Sequence, residues 1–272
     1  MAEGWAAGLR PRILSSIVMV AVALIALGAG RTGFNLLVIV GAAILAWEWT
    51  KLCGGGRFGW TGAILAVSVV AIVAAAVVER PGIGLALVLA GILGGYVAAR
   101  VSGRDHPRWI AAGIAYIGLP CMALVWLRTG VDGGSLILWL LLVVWATDIG
   151  AFFAGRLIGG PRLAPRLSPK KTWAGLGGGA LSAAIVGGVM SSIDAQAPSA
   201  HVLALGGALL AVVAQAGDLG ESWVKRRFGV KDSSQLIPGH GGLFDRVDGL
   251  LTAALALAFW QWAAGSAALA WR

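Results

Sequence analysis

Charge is scarce in this sequence. Only 12% of its 272 residues are Asp, Glu, Lys or Arg, while 58% are apolar. A soluble domain carries about twice that share of charge, and at a mean hydropathy of +0.86 the chain has far more apolar surface than one water-solvated core can hide. Cysteine is nearly absent. Cys53 and Cys121 are the only two, far apart in sequence and set in or beside apolar runs. That excludes a disulfide framework or a cysteine metal site and leaves small buried hydrophobes. There are three histidines; His106 and His201 sit near helix ends and are given no role. Strict alternation of apolar and polar residues is missing as well, which excludes a membrane β-barrel.

What is present is a series of continuous apolar runs. Nine are expected to be transmembrane helices, at about 13–29, 34–52, 60–78, 83–100, 109–127, 135–156, 173–193, 202–224 and 249–270, each near the length a bilayer requires. The expected fold is an all-α polytopic integral membrane protein in a single domain over 1–272. The basic start followed by Ile13–Leu27 has the layout of a signal peptide. It lacks a small-residue cleavage site and reads as an uncleaved first helix. Gly175, Gly177, Gly178, Gly179, Gly187 and Gly188 crowd the seventh segment, where small residues let helix backbones approach.

The loops test the count. Of 21 Lys and Arg residues, nine spans put 17 on one side of the membrane, with only Arg31, Arg80, Arg128 and Arg272 on the other. Positive charge is retained in the cytoplasm. The expectation is therefore a cell-membrane protein with its N-terminus inside, its C-terminus outside and the long loops after segments six and eight cytoplasmic. The net charge of +9 does not point to nucleic acid, because the cations lie in short loops between spans. Two readings stand for them: topology with anionic headgroups, or an anionic substrate.

Acid is scarcer still, and unevenly placed. Five of the twelve acidic residues, Asp218, Glu221, Asp232, Asp245 and Asp248, fall in residues 217–249. Asp218, Glu221, Ser222 and Lys225 stand at i, i+3, i+4 and i+7, which places them on one helical face. Asp245 and Asp248 are three apart at the start of segment nine. Two carboxylate pairs on consecutive helices can converge, and converging carboxylates call for a divalent cation. Mg²⁺ takes oxygen ligands, commonly one or two carboxylates with substrate phosphates. Lys225, Arg226, Arg227, Lys231 and Arg246 are donors suited to a polyphosphate. Pro238-Gly239-His240-Gly241-Gly242 is a tight turn whose backbone can approach a phosphate closely. A charge run alone would read as ordinary salt bridges; the ordered mixture of acids, bases and glycines argues against that.

Asp148 lies inside segment six, about 20 Å along it at 1.5 Å per residue, in the expected cytoplasmic half. An intramembrane acid is functional by default, although a packing hydrogen bond or ion pair also accounts for one. The loop beyond ends in Ser168-Pro169-Lys170-Lys171-Thr172-Trp173. Lys170 and Lys171 can meet phosphate at the start of helix seven or act as a positive-inside anchor. Glu48, between Trp47 and Trp49, reads as interfacial.

At this point the sequence resembles the phosphatidate cytidylyltransferases. The resemblance rests on S-x-x-K-R at Ser222, Lys225 and Arg226, K-D-S at Lys231 to Ser233, P-G-H-G-G at Pro238 to Gly242, and D-R-x-D at Asp245, Arg246 and Asp248. The S-P-K-K-T-W block and the Asp148 segment are similar too. Ala174 stands where many members carry a polar or acidic residue and receives no role. The likeness is most specific over 135–272, the expected catalytic part, and only general over 1–134.

The resemblance implies a cytoplasm-facing polar cavity, Mg²⁺ with a second cation such as K⁺, a homodimer, and conversion of CTP and phosphatidate to CDP-diacylglycerol and pyrophosphate. Asp218, Asp245 and Asp248 are then the expected metal ligands, with Glu221 beside them or bound through water. Lys225, Lys231, Arg226, Arg246, Lys170 and Lys171 are expected at phosphates, with Asp148, Ser222, His240, Gly241 and Gly242 in the substrate site. A CTP-dependent kinase of a polyprenol or other lipid alcohol is the competing enzyme class. An anionic-solute transporter is the non-enzyme class, disfavoured because matching halves and broken midplane helices are not evident.

Overall fold

A computed structural model describes residues 2–194 and 196–265, with side chains from Arg12 onward. The expected end of segment nine at 270, Arg272 and the side chain of Arg10 lie outside the described residues. Nine helices are present among the described residues: α1 Ala2–Gly28, α2 Gly30–Cys53, α3 Gly59–Val77, α4 Pro81–Val101, α5 Pro107–Thr129, α6 Gly133–Leu157, α7 Trp173–Ile193, α8 Ala200–Arg227 and α9 Phe244–Ala264. They follow the nine apolar runs in order. Helices α2 to α9 are each long and apolar enough to cross a membrane, whereas the apolar part of α1, Arg12–Gly28, is shorter. The fold is that of a multi-pass membrane protein.

The chain divides into two compact units. One comprises Met1–Trp126 and Arg227–Val247, the other Leu127–Arg226 and Asp248–Arg272. In the first unit α1 packs on α2, α2 on α3 and α3 on α4. Trp49, Leu65, Ile72, Ile110, Ile114 and Ile117 are fully buried, while Leu36, Val67, Leu89 and Leu93 point outward. Outward aliphatic side chains are what lipid solvates without penalty. Loops on this unit meet in pairs. Arg104, after α4, donates to the carbonyls of Gly54, Arg57 and Phe58, after α2. Arg31 at the start of α2 pairs with Glu79 after α3 at 3.8 Å.

In the second unit the closest pairing is α6 with α7. A Cβ at Gly178 would meet Ala154 Cβ and the Gly150 carbonyl, and one at Gly179 would lie 2.9 Å from the Thr147 carbonyl. Gly175, Gly178 and Gly179 thus form a packing face against α6, whereas a Cβ at Gly177 or Gly188 would meet nothing within 4 Å. Between α6 and α7 lies an element the apolar pattern does not announce. Arg162–Ala164 (β1) and Ser168–Thr172 (β2) form an antiparallel hairpin, pairing Arg162 with Thr172 and Ala164 with Ser168. Helix α7 begins where it does because Thr172 caps it, its hydroxyl accepting from the Gly175 N–H at 3.0 Å; an N-cap of this kind satisfies one of the helix's orphan donors.

Candidate active site

Helix α8 carries the acid-base face that its spacing predicts. Ser222 Oγ lies 3.4 Å from Asp218 Oδ1, and Lys225 Nζ pairs with Glu221 Oε2 at 2.5 Å. Glu221 is only 1% exposed. Asp248, on α9, joins them: one carboxylate oxygen from each of Asp218, Glu221 and Asp248 lies within 4.8 Å of the others. A second cation reaches the group from the hairpin. Lys171 Nζ sits 2.6 Å from Asp218 Oδ2 and donates to Gln215 Oε1 at 2.8 Å.

This set suits a hard divalent cation. All its anionic donors are carboxylate oxygens, and the two ammonium groups within it are outnumbered by the carboxylates. Asp148 itself is exposed on α6. Lys170 and Lys171 fall on β2, immediately before α7, at whose entry they are expected. Lys170 is exposed and Lys171 half-buried. Lys171, expected at phosphate, here pairs with Asp218.

Asp245 keeps different company. Its Oδ2 accepts the Ser233 N–H at 2.9 Å, the Ser233 hydroxyl at 2.8 Å and the Gly242 N–H at 2.8 Å. It is expected as a metal ligand, and the structure gives this oxygen three donors from the loop between α8 and α9. Asp245 begins α9 one turn before Asp248, and its carboxylate reaches back over that helix start in the manner of a capping acid.

Glu48 corrects the sequence reading most. Expected at the interface, it is completely buried. Its Oε1 accepts the Ser234 hydroxyl at 2.5 Å and the Leu243 N–H at 2.9 Å. Its Oε2 accepts the Phe244 N–H at 2.7 Å and lies 3.4 Å from the Ser233 hydroxyl. Ser233 has one hydroxyl proton, and the shorter distance assigns it to Asp245. The next residue, Trp49, stacks on Tyr116 with ring centroids 5.2 Å apart and meets Phe244 edge-on at 5.6 Å. Its indole N–H donates to the Trp109 carbonyl at 2.8 Å. One turn of α2 therefore supplies both a polar clasp and an aromatic wedge.

The Pro238–Gly242 turn closes on itself, with the Ile237 N–H on the Gly241 carbonyl at 2.8 Å and the His240 N–H on the Ile237 carbonyl at 3.0 Å. Gly239 and Gly241 have φ of +75° and +86°, a region that L side chains rarely enter. Gly242 is required for a different reason: a Cβ there would collide with Ser233 Oγ and Glu48 Oε1. His240 reaches back to α1, where Ser15 Oγ lies 2.6 Å from Nδ1 and Ser16 Oγ 3.3 Å from Nε2. Burial, then the positive charges of Arg246 and Arg12, hold its imidazole below the ordinary histidine range, while a hydrogen bond to the Pro238 backbone pulls the other way. Lys231, Arg246 and Arg226 are exposed.

Comparison with known proteins bears on the whole chain. A family model described as the cytidylyltransferase family matches residues 10–263. A phosphatidate cytidylyltransferase of Brucella suis biovar 1 is 41% identical over 256 residues, which is 92% of each chain. One from Pseudomonas aeruginosa is 35% identical over 276 residues, covering 94% of this chain and 98% of the relative. One from Rickettsia bellii is 38% identical over 161 residues, 56% of this chain and 68% of the relative.

Proposed function

The chain belongs to the cytidylyltransferase family, and from that premise we propose that it condenses CTP with phosphatidate to give CDP-diacylglycerol and pyrophosphate. The observation that carries this reading is the similarity to phosphatidate cytidylyltransferases across more than nine-tenths of both chains. Membrane-spanning helices fit a substrate that resides in the bilayer.

In the reaction an oxygen of the phosphatidate phosphate attacks the α-phosphorus of CTP. The bond from that phosphorus to the bridging oxygen breaks, and its electron pair leaves with pyrophosphate. The attacking oxygen is already ionised near neutral pH, so a strong general base is not demanded. The difficulty is bringing two anions together and stabilising the departing one, which is work for positioning and fixed charge. Lys225, Arg226, Lys170, Lys171, Lys231 and Arg246 are assigned to phosphate oxygens, as the resemblance implies. Lys171 and Lys225, held by Asp218 and Glu221, are thereby oriented before substrate arrives.

Asp218, Glu221 and Asp248 are assigned to Mg²⁺, which when bound would neutralise phosphate charge beside these residues. Ser222 and Asp148 belong to the same surroundings. The resemblance further carries a second cation, a homodimer and a cytoplasm-facing site. The test is direct: purified protein with CTP, phosphatidate and Mg²⁺, followed by lipid and nucleotide analysis. The expected products are CDP-diacylglycerol and pyrophosphate in equal amounts. CDP with a newly phosphorylated lipid alcohol would instead establish the kinase reading.

A further inference from the structure

The loop that carries Lys231 to Gly242 is fastened by a carboxylate from far earlier in the chain. Glu48 meets the loop at two places: Ser234, and the Leu243–Phe244 amides where α9 starts. Asp245 ties the same two stretches together from the other side, through Ser233 and Gly242. Lys231 stands two residues before this clasp and Arg246 two residues after Phe244. Both are exposed, so neither is fastened by its own side chain.

We propose that Glu48 is a positioning residue for the transfer reaction, fixing the loop so that Lys231 and Arg246 are presented to the phosphates of CTP; this rests on the CTP-dependent reading above. The chemistry of the clasp supports more than a packing role. Every partner assigned to Glu48 is a donor, two amides and the Ser234 hydroxyl, and a carboxylate offers acceptors at both ends. It also favours the helix N-terminus it sits on. A glutamine of the same shape has one acceptor end. Its NH₂ would face either Phe244 N–H or the Ser234 hydroxyl with Leu243 N–H. Hydrogen bonds to a buried charge are among the stronger ones, so Glu48→Gln loosens the clasp even though it preserves volume. Ser234→Ala removes one donor and leaves the backbone ones, a milder version of the same lesion.

A purely structural role and a positioning role separate in the kinetics. If Glu48 only holds the fold, variants yield fewer active molecules, and the survivors keep the CTP KM of the parent. If it positions the loop, folded molecules bind CTP less well. The experiment titrates CTP at saturating phosphatidate and Mg²⁺ with full-length protein in one detergent, comparing parent, Glu48→Gln and Ser234→Ala, and normalises to folded protein. The expected result is a CTP KM raised about tenfold by Glu48→Gln and about threefold by Ser234→Ala, in line with the loss of charge-assisted hydrogen bonds. Faster amide exchange at Leu243 and Phe244 should accompany it. An unchanged CTP KM in Ser234→Ala overturns the proposal, and this holds even if Glu48→Gln cannot be recovered folded. Failure of the parent protein to make a CDP-lipid would overturn the CTP reading, and this inference with it.

Discussion

At the scale of single residues, the α8–α9 acids divide by partner. Asp218 and Asp248 belong to the carboxylate group with Glu221, while Asp245 Oδ2 holds loop donors. Asn in place of Asp218 or Asp248 removes charge and keeps shape. Each variant should lose at least about a hundredfold in turnover and require more Mg²⁺ for what remains. Asp245→Asn should instead lower the thermal midpoint and leave the Mg²⁺ requirement of the folded protein unshifted. A Mg²⁺ titration of the three variants beside the parent checks this; a shift in Asp245→Asn alone would reverse the assignment. The face of Asp218, Glu221, Ser222 and Lys225 was readable because helical spacing fixes it. Glu48 was not, although an acid inside an apolar run signals a function. Its flanking tryptophans suggested an interface, and nothing local discloses partners some 190 residues away.

At the scale of elements, apolar runs locate the nine helices of the described residues, and α7 coincides with its expected span of about 173–193. The hairpin went unseen: three- and five-residue strands leave too short a periodic trace to register. Helix α9 starts at Phe244, ahead of its apolar run, where Glu48 accepts the Leu243 and Phe244 N–H groups and Asp245 accepts the Gly242 N–H just before the helix. The α6–α7 contact yields a paired test. Gly178→Ala should destabilise the protein by about 1–3 kcal/mol through overpacking, since its Cβ would meet Ala154 and a backbone carbonyl. Gly177→Ala, whose Cβ would meet nothing within 4 Å, should be neutral or stabilising by up to about 1 kcal/mol. Thermal unfolding of both in the same detergent is the measurement; equal midpoints would remove the close-packing account.

At the scale of the whole molecule, the distribution of Lys and Arg argues for an inside N-terminus and an outside C-terminus. In the first unit the loop pairs group as alternating crossings require, Arg104 with the loop after α2 and Arg31 with Glu79 after α3. A reporter fused after Arg272 should therefore work only if it is active outside the cytoplasm, and cytoplasmic activity there would defeat nine crossings. The clasp at Glu48 also sets a schedule for biosynthesis. The ribosome releases α2 early, but Ser234 and Phe244 lie 186 and 196 residues further on. At about 5–20 residues per second, the nascent chain holds that carboxylate without its final partners for roughly 10–40 s. Through that interval the Ser234, Leu243 and Phe244 donors are not yet there to meet the acid. The loop between α8 and α9 is thus among the last parts of the chain to settle, and a chain cut short before α9 would enter the membrane carrying an acid whose partners are never made.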